Sequence, residues 1–162
     1  MASMTVSVGE RIEAQGAKAA WKARIYGSIG QLSRWLEEND YRGYDTFDGL
    51  NARFVRPLTF ETNLLRTVLL QGVRRFPVNL RPLLEITKEH SSKGMGFLAR
   101  GFMRLHETTG DQVWADKAEF ALQWLIENQS PGYSGACWGN HFDYQARSFY
   151  LPMGCPQWCG PH

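Results

Sequence analysis

A chain of 162 residues, 43% hydrophobic and 21% charged, is long enough for one domain with a real core. A net charge of +2, with no run of lysine and arginine and no phosphate-cradling glycine motif, argues against nucleic acid as a partner. No stretch approaches the roughly twenty apolar residues of a membrane span. Three cysteines make no disulfide framework, and the expected compartment is the cytoplasm.

Residues 1–16 lack the apolar run of a signal peptide and are expected to form a flexible N-terminus. Trp21, Ile25, Ile29, Leu32 and Leu36 then recur at helical spacing, predicting a first helix over Lys18–Asn39. A polar, aromatic connection runs from Tyr41 to Asn51. Thr59 is a candidate N-cap for a second helix reaching Arg75, with Phe60, Leu64, Leu65, Val68, Leu69 and Val73 on its apolar face. Pro77 disfavours helical geometry at Phe76 and ends it.

The connection from Pro77 to Ser92 holds two prolines. A third helix is predicted over Lys93–Glu107, with Met95, Leu98, Phe102 and Leu105 on one side and Gly110 at its C-cap. Asp111 caps a fourth, to Asn128, whose face is Trp114, Ala118, Ala121, Leu122 and Leu125. So short a link makes helices three and four an antiparallel hairpin. Strand is expected to be almost absent, and the fold class is all-α.

Beyond the fourth helix, Ser130–Arg147 crowds aromatic rings, glycines and Asp143 into one loop. Trp and Tyr faces pack on pyranose rings while polar tips bond hydroxyls, so Trp138, His141, Tyr144 and Arg147 suit a sugar site. The same rings would equally plug the end of a helical core. Cys137, His141, Cys155, Cys159 and His162 are too irregularly spaced for structural zinc, and neither a metal nor a cofactor is expected. His90 and His106 read as surface or helix-face residues.

Four segments in order resemble a known family: Tyr44–Asn51 (YDTFDGLN), Val78–Leu84 (VNLRPLL), Lys93-Gly94, and Ser130–Asp143. They are similar to bacterial helical-toroid proteins encoded among polysaccharide-biosynthesis genes, which are six-hairpin glycosidase-like. The resemblance covers about Tyr41 to Pro156. It implies a partial (α/α) toroid of about two helical hairpins, the N-terminal part, over residues 17–156. Some members carry the label delta-aminolevulinic acid dehydratase, but that enzyme is an alternating β/α barrel, and no alternating strands are legible here. Residues 157–162 depart from the pattern and are expected to be an anomalous tail, as of a truncated or frameshifted product.

The resemblance implies a site between the first two helices, where Tyr44, Asp45 and Asp48 lie, with Asp143 from the late loop as second carboxylate. An acid/base pair must straddle a scissile bond, with carboxyls about 5–5.5 Å apart for retention and about 6.5–9.5 Å for inversion. Asp45 and Asp48 would otherwise be turn or cap residues. Asn79 and Arg81 flank Leu80, and Arg81 either clamps an anionic sugar group bidentately or pins its loop to helix-end carbonyls.

These readings give a carbohydrate-active or sugar-binding protein of surface-polysaccharide metabolism, with Asp48, Asp143 and Asp45 as candidate catalytic residues. Tyr44, Asn79, Arg81, Trp138, His141, Tyr144 and Arg147 are the candidate substrate-binding residues. The alternative is a non-catalytic helical scaffold that docks a partner. Apolar faces with Phe60, Leu64, Trp114 and Phe120 would be exposed and favour self-association.

Overall fold

The computed structural model describes residues 8–156, with side chains from residue 15. The expectations for residues 1–7 and 157–162 lie outside the described residues. The chain divides after Tyr41 into two compact units. The first is built on helix α1, Val8–Glu38. It starts ten residues before the predicted Lys18, because Glu10, Arg11, Glu13, Ala14, Gln15 and Ala17 are good helix formers despite having no apolar stripe. Residues 8–16, expected to be flexible, are therefore helical. Trp21, Leu32 and Trp35 on α1 are exposed.

The described residues of the second unit form three α-helices, α2 (Asn63–Arg75), α3 (Ser92–Thr109) and α4 (Gln112–Glu127). Two short 3-10 turns, Asp48–Asn51 and Arg56–Thr59, precede α2. Helix α2 begins three residues beyond the predicted Phe60 start, since Phe60 (φ 46°) and Glu61 (φ 55°) adopt left-handed backbone. Thr62, rather than Thr59, then caps it, its hydroxyl accepting from the Leu65 amide at 3.4 Å. The first core gathers Ala52, Val73 and Ile86, packed by Tyr44, Val55, Leu69 and Leu84. Gly49 lets the turn pack closely on α2: a Cβ would lie 3.3 Å from both Leu70 Cα and Val73 Cβ.

The predicted hairpin of α3 and α4 forms. Ser91 caps α3 by accepting from Gly94 N–H at 3.3 Å. Gly110 ends it at φ 72°, its amide bonded to the His106 carbonyl at 2.8 Å. Asp111 caps α4, accepting from Val113 N–H at 3.1 Å. Met95, Ala99 and Phe102 of α3 are buried, as are Ala118 and Ala121 of α4. Phe102 and Trp114 stack at 5.8 Å.

Two-residue strands β1 (Tyr144–Gln145) and β2 (Tyr150–Leu151) pair antiparallel, Tyr144 opposite Leu151. Among the described residues they form the only sheet, beside one isolated bridge between Gly43 and Glu89. The described chain is thus mostly helical, in agreement with the all-α expectation. No described helix is long and apolar enough to cross a membrane.

Candidate functional site

An open cleft of about 340 Å³ lies where the start of α3 and the end of α4 meet the late loop. Glu89, His90 and Ser92 line it from the α3 side, and Trp124, Asn128 and Gln129 from the α4 side. Asn140, His141, Gly139, Met153 and Gly154 close it from the loop.

Each wall has a local cause. Glu89 is fixed by its backbone, which exchanges two hydrogen bonds with Gly43 at 3.0 and 3.1 Å, while its Oε1 accepts from the Thr87 hydroxyl at 3.0 Å. The loop is fixed by Ser130. Its hydroxyl donates to the Gly154 carbonyl at 2.6 Å and accepts from Gly139 N–H at 2.9 Å. Gly154 N–H returns to the Asn140 carbonyl at 2.8 Å. The two limbs approach so closely that a Cβ on Gly139 would sit 2.2 Å from the Gly154 carbonyl carbon. The Ser92 hydroxyl donates to the Gly139 carbonyl at 3.3 Å, joining this clamp to the start of α3.

Two imidazoles face this space. The His90 ring lies against the Trp124 indole, centroids 5.3 Å apart, and its Nε2 is buried without a hydrogen-bond partner. His141 packs edge-on against Phe142 at 5.0 Å. Burial lowers the His141 pKa below 6.5; the carboxylates of Asp45, Glu89 and Asp48 act against that fall, and His90 adds to it. His141 is accordingly a neutral imidazole at pH 7, one nitrogen donating and the other accepting.

The residues singled out from sequence fall into separate groups. Asp48 is buried, and both its oxygens accept from Arg81 Nε, at 2.8 and 2.9 Å. Arg81 Nη2 donates to the Asp45 carbonyl at 2.7 Å, and its guanidinium lies 5.7 Å from the Tyr44 ring centre. Asp45 accepts from Phe47 N–H at 3.0 Å, and Asn79 from Arg81 N–H at 3.2 Å, both side chains closing local turns. Tyr44, Asp45, Asp48, Asn79 and Arg81 thus form one interlocked cluster.

Asp143 belongs to another. Its Oδ2 lies 2.5 Å from Arg56 Nη1, and its Oδ1 accepts from Met153 N–H at 2.7 Å. Arg56 Nη2 also donates to the Tyr150 hydroxyl at 3.0 Å, while the Arg66 guanidinium stacks over the Tyr150 ring at 4.1 Å. Tyr144 packs edge-on against Phe47 at 5.5 Å, and Arg147 is exposed at the β1–β2 turn. Trp138 points its indole N–H at the Leu125 carbonyl, 2.7 Å away, satisfying a helix-end acceptor of α4.

Of these ten residues, His141 alone lines the cleft; neither Asp48 nor Asp143 does. Sequence reading missed Glu89, His90 and Trp124. His90, expected at the surface or on a helix face, is half-buried at the cleft wall. Its signal was its position just before the capping Ser91. For Trp124 the signal was a bulky ring lying off the apolar stripe of α4. Among the described residues, no grouping of His, Cys, Asp and Glu could hold a metal ion. No protein-family model, curated protein or solved structure matches the chain.

Proposed function

We propose that this cleft binds carbohydrate. The observation that carries the reading is the grouping in one open cleft of an indole, two imidazoles, a carboxylate and the amides of Asn128, Gln129 and Asn140. An aromatic face suits the C–H surface of a sugar ring, a carboxylate accepts from its hydroxyls, and amide groups both donate to and accept from them. The resemblance of the four sequence segments to six-hairpin glycosidase-like proteins supports the same reading. On that reading α3 and α4 are one hairpin of a partial (α/α) toroid serving surface-polysaccharide metabolism. The free thiol of Cys155 suits a reducing, cytoplasmic setting.

The reading is binding rather than hydrolysis by Asp48 and Asp143. Each is held by an arginine and by backbone amides, and a general acid or base needs to reach the substrate. The test is an oligosaccharide panel titrated by NMR, with Trp124→Ala as control. Binding that perturbs the Trp124 and His141 signals and weakens at least about tenfold in Trp124→Ala, with the helical CD signal kept, is the expected result. Failure of every oligosaccharide to perturb the cleft would end the proposal.

A second reading, docking of a partner, has its own observation. An apolar groove of about 510 Å³ runs between α3 and α4, lined by Met103, Ala115, Ala118, Leu122 and Ile126. Amphipathic helices dock in grooves of this kind.

A further inference from the structure

The cleft is short of positive charge. Lysine and arginine are absent among the described residues that line it, and its one carboxylate is Glu89. Arg81, the arginine of the predicted clamp, is committed to Asp48 and to the Asp45 carbonyl. The electrostatic neighbourhood of His141 is likewise acidic, with Asp45 and Glu89 both acting on its ring. Asp45 accepts a backbone amide and Glu89 a threonine hydroxyl, so neither is neutralised by those bonds. Asp48, the third carboxylate, has its charge balanced by Arg81. Two helix ends also meet at the cleft, the positive start of α3 and the negative end of α4, and their fields oppose each other.

We propose that the cleft selects uncharged and amino sugars over uronic acids and sugar phosphates, with Glu89 as the residue that receives the amine. The proposal rests on the carbohydrate reading and adds the substrate class to it. An ammonium group reaching Glu89 makes a charge-assisted hydrogen bond, whereas a carboxylate or phosphate there meets like charge and no donor fork. Because Glu89 is held by its own backbone through Gly43, the carboxylate can be neutralised without moving the chain.

The experiment titrates the full chain by NMR with methyl glycosides that differ only in charge. These are the parent glycoside, its 2-amino and 6-amino derivatives and the uronide, in the gluco and galacto series. At least one amino derivative should bind about tenfold tighter than the parent, as a hydrogen bond to a charged group allows, and the uronide more weakly than the parent. Glu89→Gln should abolish the amine's advantage over the parent glycoside, the two then binding within about twofold of each other. A uronide that binds as tightly as the parent, or an amine preference that survives Glu89→Gln, overturns the charge selection and leaves the carbohydrate reading standing. If none of the glycosides binds, both fall.

Discussion

Asp48 and Arg81 meet across 33 positions of sequence, the arginine Nε lying between the two carboxylate oxygens at 2.8 and 2.9 Å. The carboxylate side chain is 2% exposed and the arginine 14%. Asp45 N–H adds a second donor at 3.1 Å. The pair therefore ties the turn before α2 to the connection after it, and Tyr44 is held between that pair and the Ala52–Val73–Ile86 core.

Removing one member of a buried pair strands the other. We expect Arg81→Ala to destabilise the second unit by about 3–5 kcal/mol, and the double variant Asp48→Leu with Arg81→Met to cost much less, because no charge is left buried. Urea unfolding of both variants provides the check. An Arg81→Ala loss below about 0.5 kcal/mol would show that the pair is solvated and dispensable.

The same pair carries a pH signature. Burial pushes the Asp48 carboxyl above its ordinary 3.8, outweighing the Arg81 contacts and the Asp45 amide that pull it down. A carboxyl raised on folding contributes stability that is full below its unfolded value and is lost as pH rises through its folded one. Relative to Asp48→Asn, the wild type should therefore lose stability as pH climbs from about 4. A difference that stays flat or grows with pH would contradict the burial argument.

His141 behaves oppositely. Its pKa is lowered, chiefly by burial, so its contribution is full above 6.5 and is lost as pH falls through the folded value. The imidazole C2–H resonance should titrate with a midpoint below 6.5, and Glu89→Gln should move that midpoint lower still, since Glu89 favours the charged ring. A midpoint at or above 6.5 would mean that the ring is open to water or ion-paired.

Much of this architecture was legible because it depends on local chemistry. Gly110 and Asp111 mark the α3–α4 boundary through a left-handed C-cap and a side-chain N-cap, both readable in three letters of sequence. Asp45, Asp48 and Arg81 were legible as important without their partners being legible. A carboxylate in a turn looks the same whether it faces a sugar or a guanidinium 33 positions away. The cleft was least legible. Its walls come from Glu89, Trp124 and Asn140, which share no motif and meet only because the loop folds back through the Ser130 hydroxyl.

That fold-back rests on Gly139. A methyl group there would sit 2.2 Å from Gly154 C and 2.4 Å from its carbonyl oxygen, so the backbone must move to admit alanine. We expect Gly139→Ala to cost about 1–3 kcal/mol and to disorder Asn140 and His141 while sparing the α3–α4 hairpin. Helical CD with broadened loop resonances would show this. Unchanged loop resonances would place the two limbs further apart than this geometry has them.

The apolar surface gives the last test. Phe60, Leu64 and Phe120, expected to be exposed, are 76%, 73% and 42% exposed, whereas Trp114 is half-buried against Phe102. On the α3–α4 hairpin, Phe97, Met103, Leu122 and Ile126 are also exposed, the last three beside one groove. Contiguous apolar patches beyond a few hundred Å² mark interaction surfaces on soluble proteins. The chain should therefore self-associate in sedimentation experiments and bind a hydrophobic dye. Leu122→Glu with Ile126→Glu should reduce both, because two carboxylates in the groove oppose its burial. Both positions are exposed, so the melting temperature should hardly change. A monomer at high concentration with a sharp melt and no dye binding would mean that these helices close a sufficient core by themselves. The docking reading would then fall, and the polar cleft at the end of α4 would stand as the only site with a functional claim.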